Sequence, residues 1–321
     1  MRRTTRQRGV ALITALLIFA LLAVLAANLT WDNGLDVRRT MTMLYHDEGV
    51  QAAYGAEDWV RSILRDDELD STTDHLGEIW AAEFPVLPIE SDTVQGAIQG
   101  GLADLQGRFN VNNLVDENGN IDVEVYEQFQ RLLIALDLDP RFAALAADWI
   151  DADDNVGLPS IPDGAEDAIY TGMIPPYLAA NQELSSASEL MALEGMDKAT
   201  FDTLAPHIAA LPKPASGEPT RINVNTATAA VLQSLDASIS EADALRLIAD
   251  REDGGFADFQ NAFQSFVTPD IVNRYLDEHS SYFQLKVVVQ IATVRITYYS
   301  VLYRESGSGA TVPILRSFGT V

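Results

Sequence analysis

From Val10 to Leu29 the chain reads VALITALLIFALLAVLAANL, twenty residues interrupted only by Thr14 and Asn28. As a helix rising 1.5 Å per residue, that run spans roughly 30 Å, the hydrocarbon thickness of a bilayer. Arg2, Arg3, Arg6 and Arg8 stand in front of it with no acid among them. This asymmetry places the N-terminus in the cytoplasm and the rest of the chain across the membrane. Beyond the run, Val37, Met41, Leu44, Val50, Ala53, Ala56, Val60, Ile63 and Leu64 keep a helical rhythm, and no proline falls between Val10 and Asp67. One near-continuous helix from Val10 to about Leu64 is therefore expected, roughly 80 Å long. Asn33-Gly34 and Gly49 are the places where it could bend. A cleaved secretory signal fits poorly, because the apolar run is long and Ala26-Ala27-Asn28 is a weak cleavage site.

The junction Arg8-Gly9-Val10-Ala11-Leu12 leaves two readings open, a plain signal anchor and a short leader ending at Gly9. The second resembles the class III leader of type IV pilins and pseudopilins. That resemblance implies a prepilin peptidase that cuts after Gly9 and methylates Val10, leaving the apolar helix as anchor and later as assembly core. Most of that family carries Glu at the fifth mature position, where this chain has Thr14. A carboxylate inside a helix bundle is costly unless paired, so a subunit with no neighbour ahead of it has no use for the acid. Its loss resembles the K-type minor pseudopilin of type II secretion systems. In the anchor reading, Thr14 is one more membrane residue.

The soluble part holds two kinds of sequence. Thr93–Val111, with its glycines and short apolar alternations, reads as a small hairpin against the long helix. Tyr282–Gln290, Thr293–Arg304 and Thr311–Phe318 are β-branched and aromatic runs, the last two joined by a turn at 305–309. Between them, helical patterns cover Val123–Leu136, Pro140–Asp151, Ser188–Met196, Lys198–Ala210, Ala227–Leu235, Glu241–Arg251, Phe256–Ser265 and Pro269–Glu278. The expected fold class is α+β: a pilin-like long N-terminal helix plus a small antiparallel sheet, with a large all-α inserted domain. The boundaries read as leader 1–9, transmembrane helix 10–29, stalk and first strands 30–111, insertion 112–278 and closing strands 279–321. This plan, together with Arg108-Phe-Asn-Val-Asn-Asn-Leu114, again resembles the K-type minor pseudopilin, over essentially the whole chain.

Within the insertion, Arg221-Ile-Asn-Val-Asn-Thr-Ala227, followed by Arg251 and Gly254-Gly255-Phe256, resembles the helix-hairpin-helix of bacterial DNA-uptake proteins. A membrane-anchored DNA-binding protein is thus the alternative reading. Charge opposes it. Lys+Arg total 21 against 47 Asp+Glu, a net −26, and a body so acidic repels phosphate backbones. The hairpin turn Asp236–Ser240 has no glycine and starts with an acid, where a phosphate would need bare backbone N–H groups. Asn225 or Thr226 is expected to cap the following helix. No nucleic-acid partner is expected.

No catalytic constellation emerges. His46, His75, His207 and His279 are scattered, there is no cysteine, and no G-x-S-x-G, P-loop or dinucleotide fingerprint occurs. The chain reads as non-catalytic. The richest ligand run is Asp148 to Gly157, with Asp151, Asp153 and Asp154, followed by Asp163-Gly-Ala-Glu166-Asp167. Carboxylates alternating in a Gly- and Pro-containing loop can converge the hard oxygens that Ca²⁺ requires. An EF-hand is excluded, since Val156 stands at the turn glycine and Pro162 at the bidentate acid. Solvated acids beside a helix cap remain the other reading. The family resemblance implies calcium in the helical domain, with Asp151, Asp153, Glu166 and Asp167 as foremost ligands and Asp154 and Asp163 behind them. Asp116–Glu127 also has oxygen residues at EF-hand-like spacing, but it reads better as a tight turn and an Asp122-capped helix.

The resemblance further implies assembly with I- and J-type minor pseudopilins through stalk residues such as Thr14, Leu16 and Phe19. It also implies contact with the major pseudopilin and the inner-membrane assembly platform, and a single-pass inner-membrane protein with a periplasmic body.

Overall fold

The computed structural model describes residues 8–90, 95–153, 155–156, 164–214, 216–251 and 254–319. Helix α1 runs unbroken from Arg8 to Asp70, 63 residues or roughly 95 Å. Asn33-Gly34 and Gly49 do not interrupt it. Its two halves differ in what they meet. Large apolar side chains from Val10 to Trp31 are all more than half exposed, as a membrane segment must be when no lipid surrounds it. From Gly49 onward one face is buried, with Ala53, Val60 and Leu64 at 0%.

That face lies on a five-stranded antiparallel sheet of order β1-β2-β7-β8-β9. Strands β1 (Leu87–Glu90) and β2 (Gln95–Asp104) come before the insertion. Strands β7 (Tyr282–Ile291), β8 (Val294–Arg304) and β9 (Thr311–Phe318) come after it. Residues from both ends of the chain thus share one sheet, as the two β-rich segments led one to expect. Period-two alternation puts Phe283, Leu285, Val287, Val289 and Ile291 under α1. Gly49 is needed at this contact, because a Cβ there would sit 2.6 Å from Ile296 Cδ1. A buried polar clamp reinforces the docking. Glu57, 1% exposed, accepts from Tyr298 Oη (2.5 Å), Ser300 Oγ (2.7 Å) and Arg316 Nη2 (2.6 Å). Burial pushes the Glu57 carboxyl up, but these hydrogen bonds outweigh it and hold the group below its ordinary value.

The insertion opens with β3 (Phe109–Asn110), then α2 (Val123–Ala135), α3 (Arg141–Ile150), α4 (Asp167–Tyr170) and α5 (Lys198–Leu204). It continues through β4 (Ile208–Ala209), β5 (Ile222–Asn223), α6 (Ala229–Ser234), α7 (Glu241–Asp250), α8 (Phe259–Phe263), α9 (Pro269–Tyr275) and β6 (Leu276–Asp277). Two departures from expectation appear. Short parallel pairs tie each end of the insertion to its middle, β3 with β4 and β5 with β6, so the helical body is not purely α. Phe109, stacked on Phe129 at 4.9 Å, already belongs to the insertion's core, ahead of the boundary read at 112. The expected 198–210 and 256–265 helices shorten accordingly. Ser188–Met196 is largely a 3₁₀ turn over Ala187–Ala192.

The Asn-rich segment after Phe109 works as a buried peg. Asn110 donates to Leu211 O and Thr220 Oγ1, Asn112 to Leu184 O and Asn113 to Thr220 O, at 2.9–3.1 Å. These amides satisfy polar groups of the segments on either side of α5, a task an apolar side chain could not perform. Asp122 caps α2 as expected. The cap of α6 is Thr228, not Asn225 or Thr226. Asn225 instead accepts from Phe256 N at 2.9 Å, bracing the following glycine turn.

Candidate metal centre

Helix α3 is alanine-rich and buried along nearly its whole length, so an acid near its C-terminus is carried into the interior. Asp148 lies there at 0% exposure, and Asp151 follows one turn on as the C-cap at 4%. The chain returns at Gly164-Ala165-Glu166, bringing Glu166 in at 3%. One carboxylate oxygen from each of Asp148, Asp151 and Glu166 lies within 4.8 Å of the others. Gly164 is required for the approach, since a Cβ there would overlap the Asp148 carboxylate. Trp149, Tyr170 and Tyr177 pack beside the cluster, with Trp149 edge-on to Tyr170 at 4.9 Å.

Electrostatically the cluster is incomplete. Asp151 Oδ1 is buried without a hydrogen-bond partner. Burial, then the charges of Asp148 and Asp153, push the Asp151 carboxyl up to about 7. Among the described residues no lysine or arginine forms an ion pair with Asp151. A hard divalent cation would supply what is missing, and an all-oxygen donor set suits Ca²⁺. The residues present therefore fit the ion.

A second trio, Asp67, Asp74 and Glu78, also gathers within 4.8 Å, but the protein supplies its own cation. Arg304, 1% exposed, donates to both oxygens of Asp74 at 2.6 Å and to Asp67 at 2.8 Å, while Glu78 accepts from His75 N and Trp80 Nε1. That cluster joins the end of α1 to β8 and is a structural knot.

Of the six sequence candidates, Asp151 and Glu166 meet in the cluster. Asp153 is exposed and turns back on its own loop, accepting from Asn155 N and Nδ2 at 2.7 Å. Asp167 accepts from Ala179 N at 2.9 Å. Asp154 and Asp163 lie outside the described residues. Asp148 was not among the six. Its spacing of three from Asp151, on a helix otherwise made of alanine and other apolar residues, is the signal that could have found it.

In the helix-hairpin-helix-like segment the groups a phosphate would use are engaged internally. Asp236 accepts from Ser238 N, Arg251 donates to Ala227 O, and Arg221 lies 3.5 Å from Asp277. In the stalk, Thr14 donates to Ala11 O at 3.0 Å, so its hydroxyl is satisfied within its own helix. Leu16 and Phe19 point outward, 59% and 71% exposed. Val10, which follows the Gly9 junction, lies in the first turn of α1.

Family models for type II secretion system protein K match residues 107–213 and 222–269. A type II secretion system protein K from Aeromonas hydrophila is 31% identical over 93% of both chains. One from Klebsiella pneumoniae is 31% identical over 98% of this chain and 95% of its own length. Among solved structures, a chain of the GspK-GspI-GspJ complex from enterotoxigenic Escherichia coli superposes with a TM-score of 0.73 at 24% identity, covering 88% of this chain and all of that one. The relatives are components of a secretion machine and not a known enzyme family, and their match extends over stalk, sheet and insertion together. The chain belongs to the type II secretion system protein K family.

Proposed function

We propose that this protein is a non-catalytic minor pseudopilin that occupies the tip of a type II secretion pseudopilus. There it would start assembly with I- and J-type minor pseudopilins and support protein export. The observation that carries this reading is the division of α1. Its first half is bare and apolar, with Leu16 and Phe19 outward, and its second half is locked to the sheet. A helix so divided can leave a membrane only by exchanging lipid for other helices. Two features support the leading position. Thr14 makes no demand for a neighbour's amine, and the insertion, from Phe109 to Asp277, is too bulky to lie inside a helical filament.

In this reading prepilin peptidase cuts after Gly9 and methylates Val10, and the body stands in the periplasm. Loss of the leader's four arginines would take the net charge from −26 to −30. Calcium would be held by Asp148, Asp151 and Glu166, with Asp153, Asp154, Asp163 and Asp167 near enough in sequence to complete the shell. Bound there, the ion would pin the end of α3 to the loop before α4. The test is intact mass and N-terminal sequence after co-expression with and without a prepilin peptidase. A peptidase-dependent start at Val10 carrying one added methyl supports the reading. A start at Met1 in both samples leaves a plain anchor and removes the pseudopilus mechanism.

A further inference from the structure

Where the insertion meets the face of the sheet opposite α1, a groove of about 180 Å³ opens between Leu105, Phe201, Ile208, Val301 and Leu315. Two planar polar side chains enter it, Arg108 from the turn after β2 and Gln284 from β7. Other buried or partly buried arginines of the head and insertion have partners: Arg304 its acids, Arg251 the Ala227 carbonyl, Arg131 the carbonyls of Ser234 and Leu235. Among the described residues, neither the Arg108 guanidinium nor the Gln284 amide makes a hydrogen bond, and Arg108 forms no ion pair. Burial lowers the Arg108 pKa, and Asp104 opposes that shift from beyond ion-pair distance. Arg108 is partly buried, so its guanidinium is open to water at the groove and has no protein partner to displace.

The neighbouring groups do not supply the missing contact. Asp104 already accepts from Gln106 N, Asn223 Nδ2, Thr226 Oγ1 and Ser280 Oγ. Glu189 accepts from Ser185 N and Ser186 N. His207 shares a hydrogen bond with Thr228, and burial together with the Arg108 charge holds it below its usual range, hence neutral. Among the described residues that line the groove, Arg108 is the one cation.

We propose that this groove binds a peptide chain terminus: its free carboxylate on Arg108, assisted by Gln284, and its last aliphatic side chain against Leu105, Phe201 and Leu315. A guanidinium fork matches a carboxylate bidentately, and capture of a chain terminus is a known recognition mode. The volume, equal to about six waters, suits one terminal residue and not a helix. The apolar walls ask for an aliphatic group beside the carboxylate, which a terminal leucine offers and a bare anion does not. Asp104 and Glu189 lie close enough to weaken any anion, so millimolar rather than micromolar binding is expected. The site does not depend on the assembly role proposed above.

The test is photo-crosslinking on the detergent-solubilised full chain with N-acetyl-Ala-photoleucine as free acid. Controls are its C-terminal amide and N-acetyl-Asp-photoleucine amide. The free acid should label Leu105, Phe201 or Leu315, and labelling should fall at least fivefold with either amide. Arg108→Gln should abolish it while leaving the melting temperature unchanged or raised, because no internal partner is lost. Gln284→Leu, which leaves the arginine in place, should weaken it severalfold. Equal labelling by acid and amide, full labelling of Arg108→Gln, or a melting temperature lowered by that change would overturn the assignment. Equal labelling by the aspartyl amide would overturn the choice of a chain terminus.

Discussion

Replacing Glu57 by Met tests how the stalk is fixed to the head. The substitution keeps the length of the side chain and removes the acceptor for three donors. Tyr298 and Ser300 are both 0% exposed, and each hydroxyl would lose its partner. A buried donor left unsatisfied costs about 1–3 kcal/mol. Arg316 is a different matter. Its side chain is 47% exposed, so it can turn to water, and its share is discounted to about 0–1 kcal/mol. The expected loss is therefore about 2–7 kcal/mol, most of it from the two hydroxyls. The triple change Glu57→Met, Tyr298→Phe, Ser300→Ala removes donors and acceptor together and should recover most of that loss. Urea unfolding followed by the fluorescence of Trp80, which packs on Phe283, reads the head directly. With a slope of about 1–3 kcal/mol per molar, the single variant should lower the midpoint by at least about 0.7 M. A loss below about 1 kcal/mol, or a triple variant no better than the single, would refute the reasoning.

Three further outcomes are expected. Calcium at a hundred times its dissociation constant should stabilise the insertion by about 2.7 kcal/mol. Asp151→Asn should abolish that gain while raising stability in chelator, and a calcium-dependent shift that survives the substitution would exclude the cluster. Gly164→Ala, whose methyl overlaps Asp148, should weaken calcium binding in a titration with the head's unfolding unchanged; unaltered affinity would show that the loop does not need this close approach. Burial pushes Asp74 up to about 6, from an ordinary 3.8, against the pull of Arg304 and Ser280 N. The folded state therefore takes up this proton before the unfolded one, and the head should become more stable as pH falls from 7 to 5. Asp74→Asn should flatten that slope, and a head that weakens over the interval would contradict the sign.

How far the fold could be read in advance follows from the physics of each segment. The long helix was plain because an uninterrupted apolar run and a proline-free helical rhythm need no tertiary information. Strands β7, β8 and β9 were plain because their β-branched and aromatic runs stand out from the helical patterns before them. The two parallel pairs were invisible. Each is two residues long and held by a buried asparagine whose partners lie far off in sequence, Asn110 beside β4 and Asn223 in β5. The cap of α6 was misplaced by two to three residues because Asn225, Thr226 and Thr228 are all competent caps, and only the pull of Phe256 N on Asn225 decides among them. At the acidic site the sequence favoured loop acids over Asp148. Charge density in a loop is visible in a string of letters, whereas depth within a helix bundle is not. Asp153 shows that an acid in a run of acids can also serve its own turn, which a string of letters does not reveal.

The central claim is that the chain assembles through its stalk as the leading subunit of a three-part complex. The most direct measurement is co-expression with I- and J-type minor pseudopilins, followed by purification in detergent and mass determination of the complex, for the parent chain and for Leu16→Arg and Phe19→Arg. One copy of each protein in a single species is expected, with loss of that species in both arginine variants and the head's unfolding unchanged. A complex that forms undiminished with either arginine in place would contradict stalk packing.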